Sequence, residues 1–333
     1  MLILAGCENP TDEEEKDHGV SWTAVDDAKF ETNTIKGIAF GNGAADGDKF
    51  VAVGVSGKAA YSADGVSWTA VKDAKFEADA INGIAFGNGA AGGEGGGKFV
   101  AVGDYGKAAY STDGETWTKV LNTGFGTSFD INAITFGNAK FVAVGDRGEA
   151  AYSTDGVSWT AVEDATFETN DIYGVAFGET AGGGKFVAVG NKGKIAYSSD
   201  GTNWTAVSDS KFGASSNTIN GVAFGETAGG GKFVAVGDLG KVAYSSDGAT
   251  WTAVDGYVFY GNIVPITCIT WGGGKFVAGY KDGRAAYSID GEDWMATTNV
   301  QIESKTINGI AFGNGKFVAV GDNGKAAYSN AQE

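Results

Sequence analysis

Six copies of Ser-x-Asp-Gly-x-x-Trp recur along this chain, starting at Ser62, Ser111, Ser153, Ser198, Ser245 and Ser288. They set carboxylates at Asp64, Asp113, Asp155, Asp200, Asp247 and Asp290, and indoles at Trp68, Trp117, Trp159, Trp204, Trp251 and Trp294. Paired carboxylates could hydrolyse glycosidic bonds by acid–base or nucleophilic chemistry. The regular spacing argues for a turn instead. Asp accepts hydrogen bonds from the backbone donors that follow it, Gly supplies an unusual φ, and Trp packs over the hairpin. No acid stands out from the repeat as a catalytic residue should. Other chemistry has few carriers: one His, His18, and two Cys, Cys7 and Cys268. That set cannot build a zinc or copper site, so neither metal nor cofactor is expected. A Ser–His–Asp arrangement would have to use His18, which stands at the Asp position of an incomplete seventh copy and reads as a turn residue.

The elements that position these groups are themselves repeated. Lys-Phe-Val-Ala-Val-Gly, a short turn and Ala-Tyr-Ser precede each box, with the Phe at 50, 99, 141, 186, 233, 276 and 317. The last copy stops at Tyr328-Ser329, short of its Trp, while residues 19–25 supply a Trp22-Thr23 with no repeat before them. A linear array has no reason to be cut this way, but a closed ring does. Repeats of this length stack on their neighbours into one body. The chain therefore reads as all-β: a seven-bladed β-propeller of four-stranded antiparallel blades, closed by an N-terminal strand (residues 20–25) that completes the last blade. The blade strands are Ile-x-Gly-Ile-Ala-Phe-Gly, Lys-Phe-Val-Ala-Val-Gly, Lys-Ala-Ala-Tyr-Ser and x-x-Trp-Thr-Ala-Val. Their weak alternation fits sheets packed on both faces. The 56 glycines fall at fixed turn offsets, and only two prolines occur, as strands paired on both edges require.

Residues 19–333 thus form one propeller domain. Ahead of it, Leu4-Ala5-Gly6-Cys7 resembles the lipobox of bacterial lipoproteins, which makes residues 1–6 a signal-peptide remnant and Cys7 the lipidated residue. Residues 7–18 read as an acidic tether, with six acids against one lysine between Glu8 and Asp17. The implied location is the bacterial cell envelope, lipid-anchored on the periplasmic face or the cell surface. Of the formal charge of −17, about −12 stays on the folded body. A phosphate backbone would be repelled, so nucleic acid is not an expected partner. Cys268 stands where other copies carry Gly37, Gly83, Gly174, Gly221 and Gly309, and reads as a small buried residue.

The Ser-x-Asp-Gly-x-x-Trp hairpin resembles the Asp-box of sialidase-like propellers with BNR repeats, one residue shorter than usual. The resemblance covers nearly all the chain after residue 18. It implies that the boxes are structural and lie on the face away from the ligand. Sialidases of that family clamp a substrate carboxylate with three arginines, whereas this chain has two, Arg147 and Arg284. Arg284 begins a third strand where other copies have Lys or Glu. The expectation is a non-enzymatic member. The chain is also similar in outline to the photosystem II assembly factor, although that family's arginine-rich patch is absent.

Differences among copies mark where a partner would dock. At the tip between strands two and three the repeat varies as Ser56, Tyr105, Arg147, Lys192, Leu239, Asp282 and Asn323. Drift at exposed tips would give this variety, and so would a ring suited to one asymmetric partner. Residues 255–265 depart most in composition, with Tyr257 and Tyr260, and blade six replaces Val-Gly-Asp by Gly279-Tyr280-Lys281. Tyr173 replaces Asn at the second position of an inner strand. The candidate surface is thus the loop face, off-centre toward blades five and six, on a monomer binding an unknown protein or glycan. An envelope glycoside hydrolase with paired carboxylates and an assembly chaperone for a membrane complex are the alternatives.

Overall fold

In the computed structural model, residues 21–42, 47–87, 96–213, 217–254, 264–297, 300, 302 and 305–330 are described. They form seven four-stranded antiparallel sheets arranged as a ring. Blade one runs from the inside outward through Ile35–Gly41, Lys49–Gly54, Ala59–Ser62 and Thr69–Ala70. Blades two to six repeat this order, with inner strands Ile81–Gly87, Ile131–Gly137, Ile172–Thr180, Ile219–Thr227 and Ile266–Gly272. Blade seven takes Ile307–Gly313, Lys316–Gly321 and Ala326–Asn330 from the C-terminus and Thr23–Ala24 from the N-terminus. Thr23 lies opposite Tyr328 and Ala24 opposite Ala327, and the Val25 N–H donates to Ala326 O at 2.9 Å. The closure expected from the broken seventh copy is therefore present.

From its Phe onward each second strand is buried, and that stretch has no polar face to spare. Phe141, Val142 and Val144 are 0 % exposed, as are their counterparts around the ring. An aromatic pair seats each first strand on its second, as in Phe136 and Phe141, whose centroids lie 4.7 Å apart. The glycine ending each inner strand lets the next blade approach: a Cβ on Gly137 would fall 1.9 Å from the Phe177 ring. The lysine opening the second strand ties blades together in six of the seven blades among the described residues. Lys140 Nζ sits 5.3 Å from the Tyr152 ring centroid of its own blade and donates to Asp200 O of the next blade at 2.7 Å. This cation–π contact with a charge-assisted hydrogen bond recurs at Lys185 and Lys232.

Blade six shows how one substitution calls for another. Cys268 is buried, and burial, its largest influence, pushes the thiol pKa up to about 12. It pairs across the sheet with Gly279, where other blades pair Gly with Val, as in Gly37 with Val53. A Cβ on Gly279 would stand 2.8 Å from Cys268 Sγ. The volume gained at the inner strand is removed from the strand beside it, which keeps the core filled without overpacking.

Candidate functional site

The third strand of each blade separates two faces, because it begins at the variable tip and ends at the Ser-x-Asp-Gly-x-x-Trp hairpin. In the hairpin Asp64 Oδ1 accepts from Val66 N at 2.8 Å, Ser67 N at 2.7 Å and Ser62 Oγ at 2.9 Å. Ser62 Oγ in turn accepts from Gly65 N, and Trp68 Nε1 donates to Gly65 O. The same carboxylate bonds recur at Asp113, Asp155, Asp200, Asp247 and Asp290. Trp117, Trp251 and Trp294 repeat the indole bond. Trp159 packs partly buried against the core of blades two and three, and Trp204 is buried between blades three and four. These carboxylates are committed to holding turns. Gly65 abuts Val318 of the preceding blade, so each hairpin also seals a blade-to-blade joint.

The opposite face carries the tips. Six of them hold a non-glycine residue in the left-handed region followed by a glycine at positive φ, as in Tyr105 (φ 57°) and Gly106 (φ 65°). Two successive left-handed residues closed by a bond such as Lys107 N to Asp104 O make a tight hairpin turn for which Asn-Gly is the favoured sequence. Only Asn323-Gly324 obeys that preference. Ser56, Tyr105, Arg147, Lys192 and Leu239 hold the same backbone at a cost of about 1 kcal/mol each. Two of the tips are braced from the next blade: Tyr105 N donates to Asp130 Oδ1 and Arg147 N to Asp171 Oδ1, both at 2.9 Å. Tyr105 is 56 % and Leu239 39 % exposed, and Arg147 and Lys192 also face solvent. Tyr105, Arg147, Lys192 and Leu239 thus occupy four consecutive blades, two to five. Leu121 adds to this sector at 95 % exposure, where other blades place Asp26, Lys72, Glu163 or Ser208.

Blade six looks different from its sequence-based reading. Tyr280 is 3 % exposed and packs into the core between blades five and six, and burial, first among its influences, raises its pKa. It takes the place of a strand-end glycine, on the sheet face opposite Cys268 and Gly279, and it does not present its ring to a partner. Asp282 Oδ2 accepts from Arg284 Nε at 2.7 Å and meets a second guanidinium nitrogen at 2.6 Å. Lys281 is exposed at the channel mouth. Tyr257, Tyr260 and Cys7 lie outside the described residues. The described candidates therefore favour blades two to five over blades five and six.

At the centre of the same face is the channel mouth, a cavity of about 500 Å³. Its rim comes from the second residue of each inner strand: Lys36, Asn82, Asn132, Tyr173, Asn220, Thr267 and Asn308. Asn82 Nδ2 donates to Asp104 Oδ1 at 3.0 Å in its own blade and to Ile131 O of the next at 3.1 Å. Asn132 with Asp146, Asn220 with Asp238 and Asn308 with Asp322 repeat both bonds. Blades one, four and six change both partners at once, to Lys36 with Val55, Tyr173 with Asn191, and Thr267 with Lys281. Sequence reasoning found Tyr173 and missed Lys36 and Thr267. The signal was the paired departure at two positions 14 to 22 residues apart, visible only once their contact is known. Tyr173 is 36 % exposed, and its hydroxyl donates to Asp171 Oδ2 and accepts from Asn191 Nδ2. Below the mouth the channel narrows to about 200 Å³ between Gly37, Gly83, Ala133, Gly174, Gly221, Cys268 and Gly309. No group of three metal-ligating side chains converges among the described residues.

No family model and no curated protein matches this sequence. Solved structures do. YCF48 bound to D1 peptide is similar at a TM-score of 0.68 and 16 % identity, over 94 % of this chain and 95 % of that one. YCF48 from Cyanidioschyzon merolae is similar at 0.67 and 17 %, over 94 % and 99 %. A catalytically inactive virginiamycin B lyase from Staphylococcus aureus with quinupristin is similar at 0.68 and 11 %, over 93 % and 99 %. Across such low identities these likenesses establish the propeller fold.

Proposed function

We propose that this chain is a non-catalytic binding propeller, lipid-anchored in the cell envelope through Cys7, that engages a protein partner with the tips of blades two to five. The observation that carries this reading is the tip chemistry. A turn that prefers Asn-Gly instead exposes Tyr105, Arg147, Lys192 and Leu239, the first two with their backbone braced by the next blade. Aromatic, arginine and aliphatic side chains on rigid supports suit a protein interface. YCF48, which shares the fold, has been seen with a D1 peptide. That likeness favours a narrower version of the proposal, in which the partner is a subunit awaiting assembly into a membrane complex. A glycoside hydrolase gains no support from the boxed carboxylates, all of which hold turns.

The test begins with cross-linking and pull-down from envelope fractions, followed by affinity measurements on the identified partner. Tyr105→Ala combined with Leu239→Ala is expected to weaken binding about 100-fold, whereas Asp64→Ala on the other face should leave affinity per folded molecule unchanged. The opposite pattern would move the interface to the hairpin face. For the anchor, Cys7→Ser in a precursor carrying a full signal sequence is expected to shift the protein from the membrane to the aqueous fraction. Equal membrane retention of this variant would rule the anchor out.

A further inference from the structure

We propose that the channel mouth is a second binding site, separate from the tips, that accepts one neutral, hydroxyl-bearing sugar ring. Its rim offers both kinds of hydrogen-bonding group. The two Nδ2 hydrogens of Asn132, Asn220 and Asn308 are spent on their Asp and on the next blade. Their Oδ1 atoms accept no hydrogen bond among the described residues and are left to solvent or a ligand. Lys36 shows that a donor fits there, since its Nζ lies 2.7 Å from Asn82 Oδ1. Lys36 and Lys281 supply donors on either side of blade seven, and Tyr173 stands across the mouth with a half-buried ring.

A carboxylate ligand could only accept: it could meet Lys36 or Lys281 but would leave the carboxamide oxygens without a bond. An ammonium ligand could only donate, and would meet Lys36 and Lys281. Hydroxyl groups do both. The one carboxylate on the cavity wall, Asp238, already accepts from Thr218 N at 3.0 Å and from Asn220, so nothing there demands a charged ligand. The C–H face of a sugar can lie on the Tyr173 ring, and a cavity of about 500 Å³ is the size of a small-molecule site. A purely structural rim would keep the Asn–Asp pair in all seven blades. Three blades abandon it at both positions, and Lys36, Tyr173 and Lys281 among the replacements bring the cations and the aromatic ring that a sugar site uses.

The experiment compares the full chain with two variants that restore the repeat: Tyr173→Asn with Asn191→Asp, and Lys36→Asn with Val55→Asp. Both reproduce the pair that blades two, three, five and seven already fold with, and circular dichroism melts check that the fold is kept. The probes are methyl glycosides of glucose, galactose, mannose and N-acetylglucosamine, their tetrasaccharides, and glucuronate and lysine methyl ester as charged controls, read by saturation-transfer NMR and calorimetry. At least one neutral saccharide is expected to bind with a Kd of about 1 mM or tighter, and each restored variant to weaken it about tenfold or more. Equal affinity for a methyl glycoside and its tetrasaccharide would indicate a free sugar as the ligand. Tetrasaccharides binding more than tenfold tighter would indicate the end of a glycan chain. Absence of neutral-sugar binding, binding of the charged controls alone, or unchanged affinity in both restored variants would overturn the proposal. The Tyr105→Ala, Leu239→Ala variant should bind sugar normally, so a failure at the tips and a failure at the mouth are separately visible.

Discussion

Deleting residues 21–25 is expected to open the ring and cost about 5 kcal/mol or more. The segment is short, but it contributes to two cores. Trp22 is 6 % exposed and packs with Ile307 and Phe317 on one side of blade seven. Val25, 8 % exposed, packs with Val318, Val320 and Phe30 where blade seven meets blade one. Truncating a buried Trp alone costs about 3–5 kcal/mol, and the deletion also frees the edge of Ala326–Asn330 for pairing with other chains. The loss is comparable to the whole stability of a typical domain. Urea unfolding of the wild type and the deletion measures it, and light scattering should show the deletion associating. Val25→Pro is a milder second variant, because it removes the N–H that donates to Ala326 O. It is expected to lower the midpoint without abolishing folding. A deletion that unfolds at the wild-type midpoint would mean that the N-terminal strand does not hold the ring shut.

Much of this architecture was legible because the same physical problem is solved seven times. Trp22 without a preceding repeat and Tyr328-Ser329 without a following Trp were enough to predict the joint. The hairpin boxes were legible for the same reason: six identical spacings leave little room for a catalytic exception. The candidate site was harder to read. Tyr280 breaks the repeat and is aromatic, yet it is buried. It occupies a strand-end glycine position whose side chain turns into the joint between blades five and six, a direction that no local pattern shows. The rim pair of Asn82 with Asp104 was hidden differently, since its members look like an ordinary strand residue and an ordinary turn residue until the fold brings them to 3.0 Å. Leu121 could have been found. A leucine among Asp26, Lys72, Glu163, Ser208, Asp255 and Thr298 is a departure of the same kind as the tips, at a position where every other copy keeps a polar residue.

Acid should unfold this protein through its hairpins, in a window set by the six boxed aspartates. Burial is the largest influence on Asp64 and pushes its pKa up, but the bonds from Ser67 N, Val66 N and Ser62 together outweigh it and bring the pKa to about 2. Asp113, Asp155, Asp200, Asp247 and Asp290 are lowered by the same balance of burial against hairpin donors. An unfolded Asp titrates near 3.9. A folded pKa below that value means stability that is complete above about pH 4 and is lost as pH falls toward 2. After allowance for solvent screening the Asp64 box contributes roughly 1 kcal/mol, and the other five boxes act in the same direction. The net charge does not blur the window from above. The chain carries −17 at pH 7 and approaches neutrality near pH 4.4, so repulsion eases over that range. Thermal midpoints are therefore expected to hold or rise slightly from pH 7 to about 4.5 and then to fall steeply. Asp64→Asn with Asp200→Asn separates the boxes from general acid unfolding. The amide oxygen can still accept the turn's N–H bonds, but it no longer titrates. This variant should be less stable at pH 7, by about 1–2 kcal/mol, and should lose less between pH 4 and 2 than the wild type. Parallel losses in the two proteins would show that the boxed carboxylates do not set the acid limit.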